Sequence, residues 1–273
     1  MEILMASTVP DPPPEPDPPS PLVGFTEAPV FRLRWRPRAI GRLAWMMVSV
    51  FVVECLVFGV AVLPAALFWQ PFFQLGYPTN VVRTVALSMA FVPSYLLFAV
   101  SLMVLSALSL RLTGWRTPAN AQMVIADLGW PLMNWARSMV STHVVRLFAG
   151  SVLRSTPVWT FYLRLNGARL GRGVYVNSLS VSDHNLLEFG DHVVIGDGAH
   201  LSGHTVERAM VKTAPVRLGE GVTIGIGSVV GIGVEAGPRA QVGALSLVPK
   251  FSRLEAGATY VGTPVRKLGR SSR

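Results

Sequence analysis

Residues 218–265 read, in blocks of six, LGEGVT IGIGSV VGIGVE AGPRAQ VGALSL VPKFSR LEAGAT YVGTPV. The first place holds Leu218, Ile224, Val230, Ala236, Val242, Val248, Leu254 and Tyr260, and the second is Gly in the first five blocks. The fifth place is Val222, Ser228, Val234, Ala240, Ser246, Ser252 and Ala258, small or β-branched until Pro264. A coil of short strands and tight corners needs this pattern. An aliphatic residue fills the inside, a small one sits where the corner crowds, and Gly serves where the backbone turns with positive φ. Earlier blocks start at Leu170, Val176, Phe189, Ile195 and Leu201, with Val174, Ser180, Val193, Ala199 and Thr205 in the fifth place. One block would mean little, but thirteen in phase are not chance.

The repeat resembles the left-handed parallel β-helix of hexapeptide-repeat acyltransferases, which implies three hexads per coil. Two interruptions then stand out. Residues 182–188 form a polar hexad with one extra residue, and residues 207–217 carry an insertion. With three hexads per coil, the hexad at Ser182 lies under the one at Leu201. Asp183 and His184 fall about one coil from Ser202, Gly203 and His204. Breaks that converge on one place in a regular scaffold are where function is expected.

Four of the five histidines lie here: His184, His192, His200 and His204. The acyltransferase resemblance implies a His acting as general base on an acceptor hydroxyl or amine, which then attacks a thioester. A side chain titrating near neutral pH suits that task. His184, beside Asp183 and near Glu188, is the first candidate and His204 the second. Lys212, in the insertion, is a candidate for holding a phosphopantetheine or a carboxylate, and Ser202 and Gly203 are grouped with it on the donor's side. His192 and His200 read as structural. A zinc site of the γ-class carbonic-anhydrase kind, from His184, His200 and His204, is a weaker reading. No tightly bound cofactor and no metal are expected.

The rest of the chain differs chemically. Of 25 glycines, 18 follow Asn166. The chain is 51% hydrophobic and only 14% charged, too apolar for an ordinary soluble protein. Residues 43–69 are apolar except for Glu54, and fourteen of them are Leu, Val or Phe. These contribute roughly −4 to −8 kcal/mol to insertion against about +3 kcal/mol for a central acid. Residues 84–110 carry no charge. Both runs exceed the ~20 residues needed to span a bilayer, so two transmembrane helices are predicted over residues 30–116. Arg32, Arg34, Arg36, Arg38 and Arg42 precede the pair, Arg111 and Arg116 follow it, and residues 70–80 hold none. By the positive-inside rule both ends, and the β-helix with them, face the cytoplasm.

Residues 117–167 carry Trp130, Trp135 and Trp159 among apolar residues, with Arg137, Arg146, Arg154 and Arg164 spaced eight to ten apart. They read as interfacial or connector helices, with arginines on lipid phosphates. Thr156-Pro157 opens the last helix and Gly167 ends it. Residues 1–29, with eight prolines between Pro10 and Pro21, read as a disordered tail, and residues 269–273 as a second. The net charge of +9 sits around apolar segments, which points to membrane lipids; no nucleic-acid motif is present. The single cysteine, Cys55, excludes a disulfide framework.

The run from His184 to Leu268 resembles one group further. Its stretches HNLLEFG (184–190), HLSGHTVE (200–207), VKTAPVR (211–217), GSVVGIGV (227–234), VGALS (242–246) and GTPVR (262–266) look like the carboxy-terminal membrane region of ε-poly-lysine-synthetase-type nonribosomal peptide synthetases. Those enzymes place six transmembrane helices around three tandem acetyltransferase-related domains. Here one helix pair precedes one repeat domain (residues 168–268), so a single copy is expected to form a homotrimer. The resemblance implies a membrane-anchored acyl- or aminoacyltransferase taking a carrier- or CoA-bound thioester. A non-catalytic membrane scaffold for a separate synthetase is the rival of a different class.

Overall fold

The apolar run around Glu54 forms helix α1 (Pro37–Gln74), and the uncharged run forms α2 (Asn80–Thr113). The structure, a computed structural model, describes residues 37–269. The Pro-rich tail, residues 270–273 and the arginines at 32, 34 and 36 lie outside the described residues. Thr79 caps α2 by accepting from the Val82 amide, and Gly114, at φ 70°, closes it. Both helices outrun the apolar runs 43–69 and 84–110, because the hydrogen-bond ladder continues into the flanking turns. They pack along each other and show apolar side chains outward: Phe51, Leu56, Val85 and Phe91 are all exposed. By length and composition each is long and apolar enough to cross a membrane.

Helix α3 (Trp130–Val145) packs on both, and its last turn widens into a π-turn at Arg146–Gly150. The Pro157–Leu165 helix begins as the sequence predicts: the Thr156 hydroxyl accepts from the Trp159 amide, and Gly167 follows at φ 95°. The four arginines expected on lipid phosphates are turned to protein groups instead. Arg137 is buried and donates to Ser49 Oγ, and Arg146 donates to the Val181 carbonyl at 2.6 Å. Arg154 pairs with Asp197, and Arg164 donates to the carbonyls of Leu170 and Gly171. Carbonyls at the open end and corners of the coil need donors, and long arginines reach them. The helices touch both the helix pair and the coil.

The repeat forms a three-sided coil of two- and three-residue strands. Thr223-Ile224 pairs in parallel with Gln241-Val242 and that with Thr259-Tyr260, 18 residues per turn. The other two faces repeat the offset, Leu218 over Ala236 over Leu254 and Val230 over Val248. Every first-place residue from Leu218 to Tyr260 is buried, as are Val222, Ser228, Val234, Ala240 and Ser246 in the fifth place. The second-place glycines have a different reason from the expected one. Their φ is ordinary, and they are Gly because the next coil's backbone lies against them. A Cβ on Gly225 would stand 2.5 Å from the Ala244 amide nitrogen, and one on Gly219 2.7 Å from that of Pro238. Positive φ falls in the fourth place instead: Gly221, Gly227, Gly233, Arg239, Leu245, Phe251 and Gly257.

The breaks shape one end of the coil. Val181, not Ser182, pairs with Leu201, one residue earlier than the hexad spacing predicts. The first part of the 207–217 stretch belongs to a hairpin, His204–Glu207 against Met210–Thr213, which leaves the coil and takes Gln122–Val124 as a third strand, while Val216 and Arg217 are back in the coil. Met123 and Val211 bury their side chains with Leu128 and Leu132 of the connector, so a small second core pins the hairpin.

Candidate functional site

Asp183 stands where the extra residue leaves the coil, in the left-handed region at φ 53°, and its carboxylate is fully covered. One oxygen accepts from Thr117 Oγ1 at 2.7 Å and from Trp135 Nε1 at 3.2 Å. The other accepts from Ser182 Oγ and lies 2.6 Å from His204 Nδ1. Burial alone would raise the Asp183 carboxyl; hydrogen bonds from His204, Thr117 and Ser182, with the His204 charge, outweigh it and hold it below the usual range. It is therefore an anion in a tight cage of donors.

Ser202 Oγ lies 3.0 Å from the same His204 nitrogen, and the Trp135 ring stands edge-on 5.0 Å away. A carboxylate on Nδ1 fixes that nitrogen as the N–H, so the proton-accepting lone pair is on Nε2. Nε2 has no hydrogen-bond partner among the described residues, and the His204 side chain is 24% exposed. The arrangement is that of an oriented, partly open imidazole backed by a buried acid. It can accept and return a proton. Gly203 is small for a packing reason: a Cβ there would meet Asp183 Cβ and Leu186 at 2.9 Å.

His184, first candidate on sequence grounds, faces the other way. It is 3% exposed, and its Nε2 lies 3.1 Å from the Val181 carbonyl, which can only accept. Burial, with the Arg146 charge, pushes its pKa down to about 3. A neutral, buried ring of this kind supports the turn. Glu188 is apart from both, on a coil face where it pairs with Arg169 and Arg217 in a charged column continued by Glu235 and Arg253. Lys212 is tied to Glu207 across the hairpin, and Lys250 also pairs with Glu207. Its ammonium is thus engaged within the hairpin. Among the described residues no three His, Cys, Asp or Glu side chains converge as metal ligands, so His184, His200 and His204 do not form the zinc set considered above. Thr117 and Trp135, which sequence reasoning did not single out, join the site from the connector some 50 to 70 residues away.

Beside Asp183 a cavity of about 350 Å³ opens between the ends of α2 and the Pro157–Leu165 helix and the coil, with Arg111, Arg116, Asn166, His184 and Asn185 among its lining.

No family model matches the chain. Over 112 residues it is 26% identical to the delta-poly-L-ornithine synthetase of Acinetobacter baumannii (strain AB307-0294). The chain is similar to a poly-amino-acid synthetase. The match covers 41% of this chain and 8% of that protein, so the chain spans a small part of the relative's length. The resemblance to poly-amino-acid synthetases read from the sequence is thereby met in a second such enzyme. Among solved structures, the acetyltransferase domain of PglB from Neisseria gonorrhoeae FA1090 is 29% identical, over 37% of this chain and 43% of that one, with a TM-score of 0.31. The serine acetyltransferase of Neisseria gonorrhoeae is 18% identical, over 86% and 72%, with a TM-score of 0.37. A hexapeptide-repeat acetyltransferase of Vibrio cholerae O1 biovar eltor is 24% identical, over 38% and 60%, with a TM-score of 0.34. All three superpositions are partial.

Proposed function

We propose that the chain is a membrane-anchored acyl- or aminoacyltransferase that moves an acyl group from a thioester to an amine or hydroxyl. The observation that carries this reading is the 2.6 Å contact between His204 Nδ1 and the buried Asp183 carboxylate, which leaves Nε2 as a base at a partly open surface. Similarity to a poly-amino-acid synthetase supports the choice of acyl chemistry.

His204 Nε2 removes the acceptor's proton as the acceptor's nitrogen or oxygen attacks the thioester carbonyl. The carbonyl oxygen becomes an anion, for which coil backbone amides are the available donors. Collapse breaks the C–S bond, and the imidazolium returns its proton to the leaving thiolate. Asp183 holds the ring's tautomer and stabilises the charge it gains. His184 is not part of this scheme; its burial supports placing His204 ahead of it. The donor is a carrier-bound or CoA thioester, with Ser202 and Gly203 at the turn beside it. The finer features of the reading are a left-handed coil, α1 and α2 crossing the cytoplasmic membrane with the coil on the cytoplasmic side, and a homotrimer placing the site between neighbouring coils.

The test is transfer by the purified full chain from labelled acyl- or aminoacyl-thioesters to amine and hydroxyl acceptors. His204→Ala is expected to lower the rate about 10²–10⁴-fold. Unchanged rates in His204→Ala overturn the mechanism. Binding of a carrier protein without turnover assigns the chain to the scaffold role.

A further inference from the structure

The uncharged run of α2 ends at Leu110, and Arg111 is the first cation after it. The cavity beside Asp183 is set at that transition. From α2 it takes Ala107, Leu110, Arg111 and the capping Gly114, which share one face of the helix end, and Met139 and Leu165 add apolar wall. With α2 across a bilayer, this is the level where hydrocarbon gives way to headgroups.

The charge on the cavity wall has one sign. Arg111 donates through Nε to the Leu165 carbonyl at 2.9 Å, and its two terminal nitrogens have no partner among the described residues. Arg116 is exposed and has no hydrogen-bond or ion-pair partner among the described residues. Asp183 is the one acid in the lining, and its covered carboxylate is already met by Thr117, Trp135, Ser182 and His204. His184, also in the lining, supplies an acceptor. Its Nε2 faces the Val181 carbonyl and so carries the ring hydrogen, which leaves a lone pair on Nδ1. Nδ1 is buried without a partner among the described residues. A buried acceptor left unmet is costly, and a donor brought by a ligand removes that cost. Arg146 donates to the same Val181 carbonyl, so a cation already stands beside the ring and a hydroxyl suits Nδ1 better than an ammonium.

We propose that this cavity seats the head of an anionic phospholipid, with its phosphate on Arg111 and Arg116 and a head hydroxyl donating to His184 Nδ1. Guanidinium groups match phosphate oxygens in paired hydrogen bonds, and basic pockets between membrane helices bind lipid heads. The volume, about 350 Å³, lies within the range of ligand cavities. A soluble phosphate ester with a hydroxyl offers the same groups; the place of the cavity at the end of the apolar run favours the lipid. The inference rests on α2 crossing the membrane and not on acyl transfer.

Native mass spectrometry of the full chain in detergent, with one lipid added at a time, reads the affinities. Phosphatidylglycerol is expected to bind one per chain, about tenfold more tightly than phosphatidylmethanol, which has the same charge and no hydroxyl. Arg116→Gln breaks no contact of the fold and is expected to weaken phosphatidylglycerol binding about tenfold. Arg42→Gln, which removes a charge bonded to the Asp127 carbonyl and outside the cavity lining, is expected to bind as wild type does. Equal affinity for the two lipids overturns the hydroxyl contact and the assignment with it. An equal loss in Arg116→Gln and Arg42→Gln means general charge attraction and also overturns the site. Displacement of the lipid by glycerol 3-phosphate at a like concentration gives the cavity to a soluble phosphate ester and overturns the lipid. A chain that stays in carbonate-washed membranes but binds no lipid overturns this inference alone. Release of the chain by that wash refutes the crossing by α2, and this inference with it.

Discussion

In the proposed reaction Asp183 and His204 divide one task between them. The carboxylate is buried and never meets an acceptor; the imidazole is partly open and cannot hold its tautomer alone. Asp183→Asn keeps the shape of the cage but offers an N–H where the ring needs an acceptor, so about tenfold or greater loss of transfer is expected with little change in donor binding. The neighbouring histidine makes a separate prediction about stability. His184, with its pKa pushed down to about 3, stays neutral in the fold while the unfolded chain takes up a proton below about 6.5. A depressed histidine contributes stability that is fully present above the unfolded value and is lost as pH falls toward the folded one. His200 is lowered in the same direction, chiefly by burial. Asp183, also lowered, adds stability that is lost only below the ordinary carboxylate range. Between pH 6.5 and 4 the slope therefore belongs to the histidines, at up to about 1.4 kcal/mol per pH unit for each fully buried one. Thermal melts at pH 7 and 5 should show a clear drop for wild type and a shallower one for His184→Gln. Equal drops contradict a buried neutral ring.

The meeting of Asp183, Ser202 and His204 was legible from the spacing taken with the three hexads per coil that the acyltransferase resemblance implies. Asp183, Ser202 and His204 lie on adjacent coils, and a regular repeat sets that separation. The difference in burial between His184 and His204, on which the proposal prefers His204, was not legible in the sequence, because it depends on how the chain turns at Asp183 with positive φ. Thr117 and Trp135 were hidden for a different reason: they arrive through long-range packing of a non-repeating connector. Glu188 and Lys212 lie in ion pairs of their own, with Arg169 and Arg217 and with Glu207, which spacing does not show.

At the scale of the element, the hexad carries two separate demands that the sequence shows as one. Second-place glycines answer to close contact between coils, and fourth-place residues to backbone conformation. The consequences differ in sign. Gly225→Ala should destabilise by about 1–3 kcal/mol, since the Ala244 backbone 2.5 Å from the new Cβ has to move. Arg239→Gly, at φ 60°, should be neutral or stabilising by up to about 1 kcal/mol, because the left-handed conformation costs Gly nothing. Denaturant or thermal unfolding of the two variants checks the pair, and the reverse order would contradict this account of the repeat. The hairpin tests the connector's role. Val211→Asp puts a charge among Met123, Leu128 and Leu132, and should release the hairpin that carries His204, lowering transfer while the coil remains folded. Circular dichroism and turnover measured together separate those effects.

At the scale of the molecule, two long apolar helices are joined to a rigid coil through connector helices whose arginines grip the coil's own carbonyls. The period made the coil readable and hydropathy made the helix pair readable. Between the interfacial and connector readings of residues 117–167 the sequence could not choose, because arginine with tryptophan looks alike whether it meets lipid phosphate or protein carbonyl. With this build the site is held beside the end of α2, close to where α2 would leave a bilayer. The full chain should therefore stay with membranes after alkaline carbonate washing, and recovery in the wash would contradict anchoring through α1 and α2. The central claim is tested most directly by single-turnover transfer from a labelled thioester to an amine, comparing the full-length wild type with His204→Ala and Asp183→Asn. The account predicts transfer by wild type, a fall of about 10²–10⁴-fold in His204→Ala and of about tenfold or more in Asp183→Asn, with donor binding retained in both; equal rates in all three would contradict it.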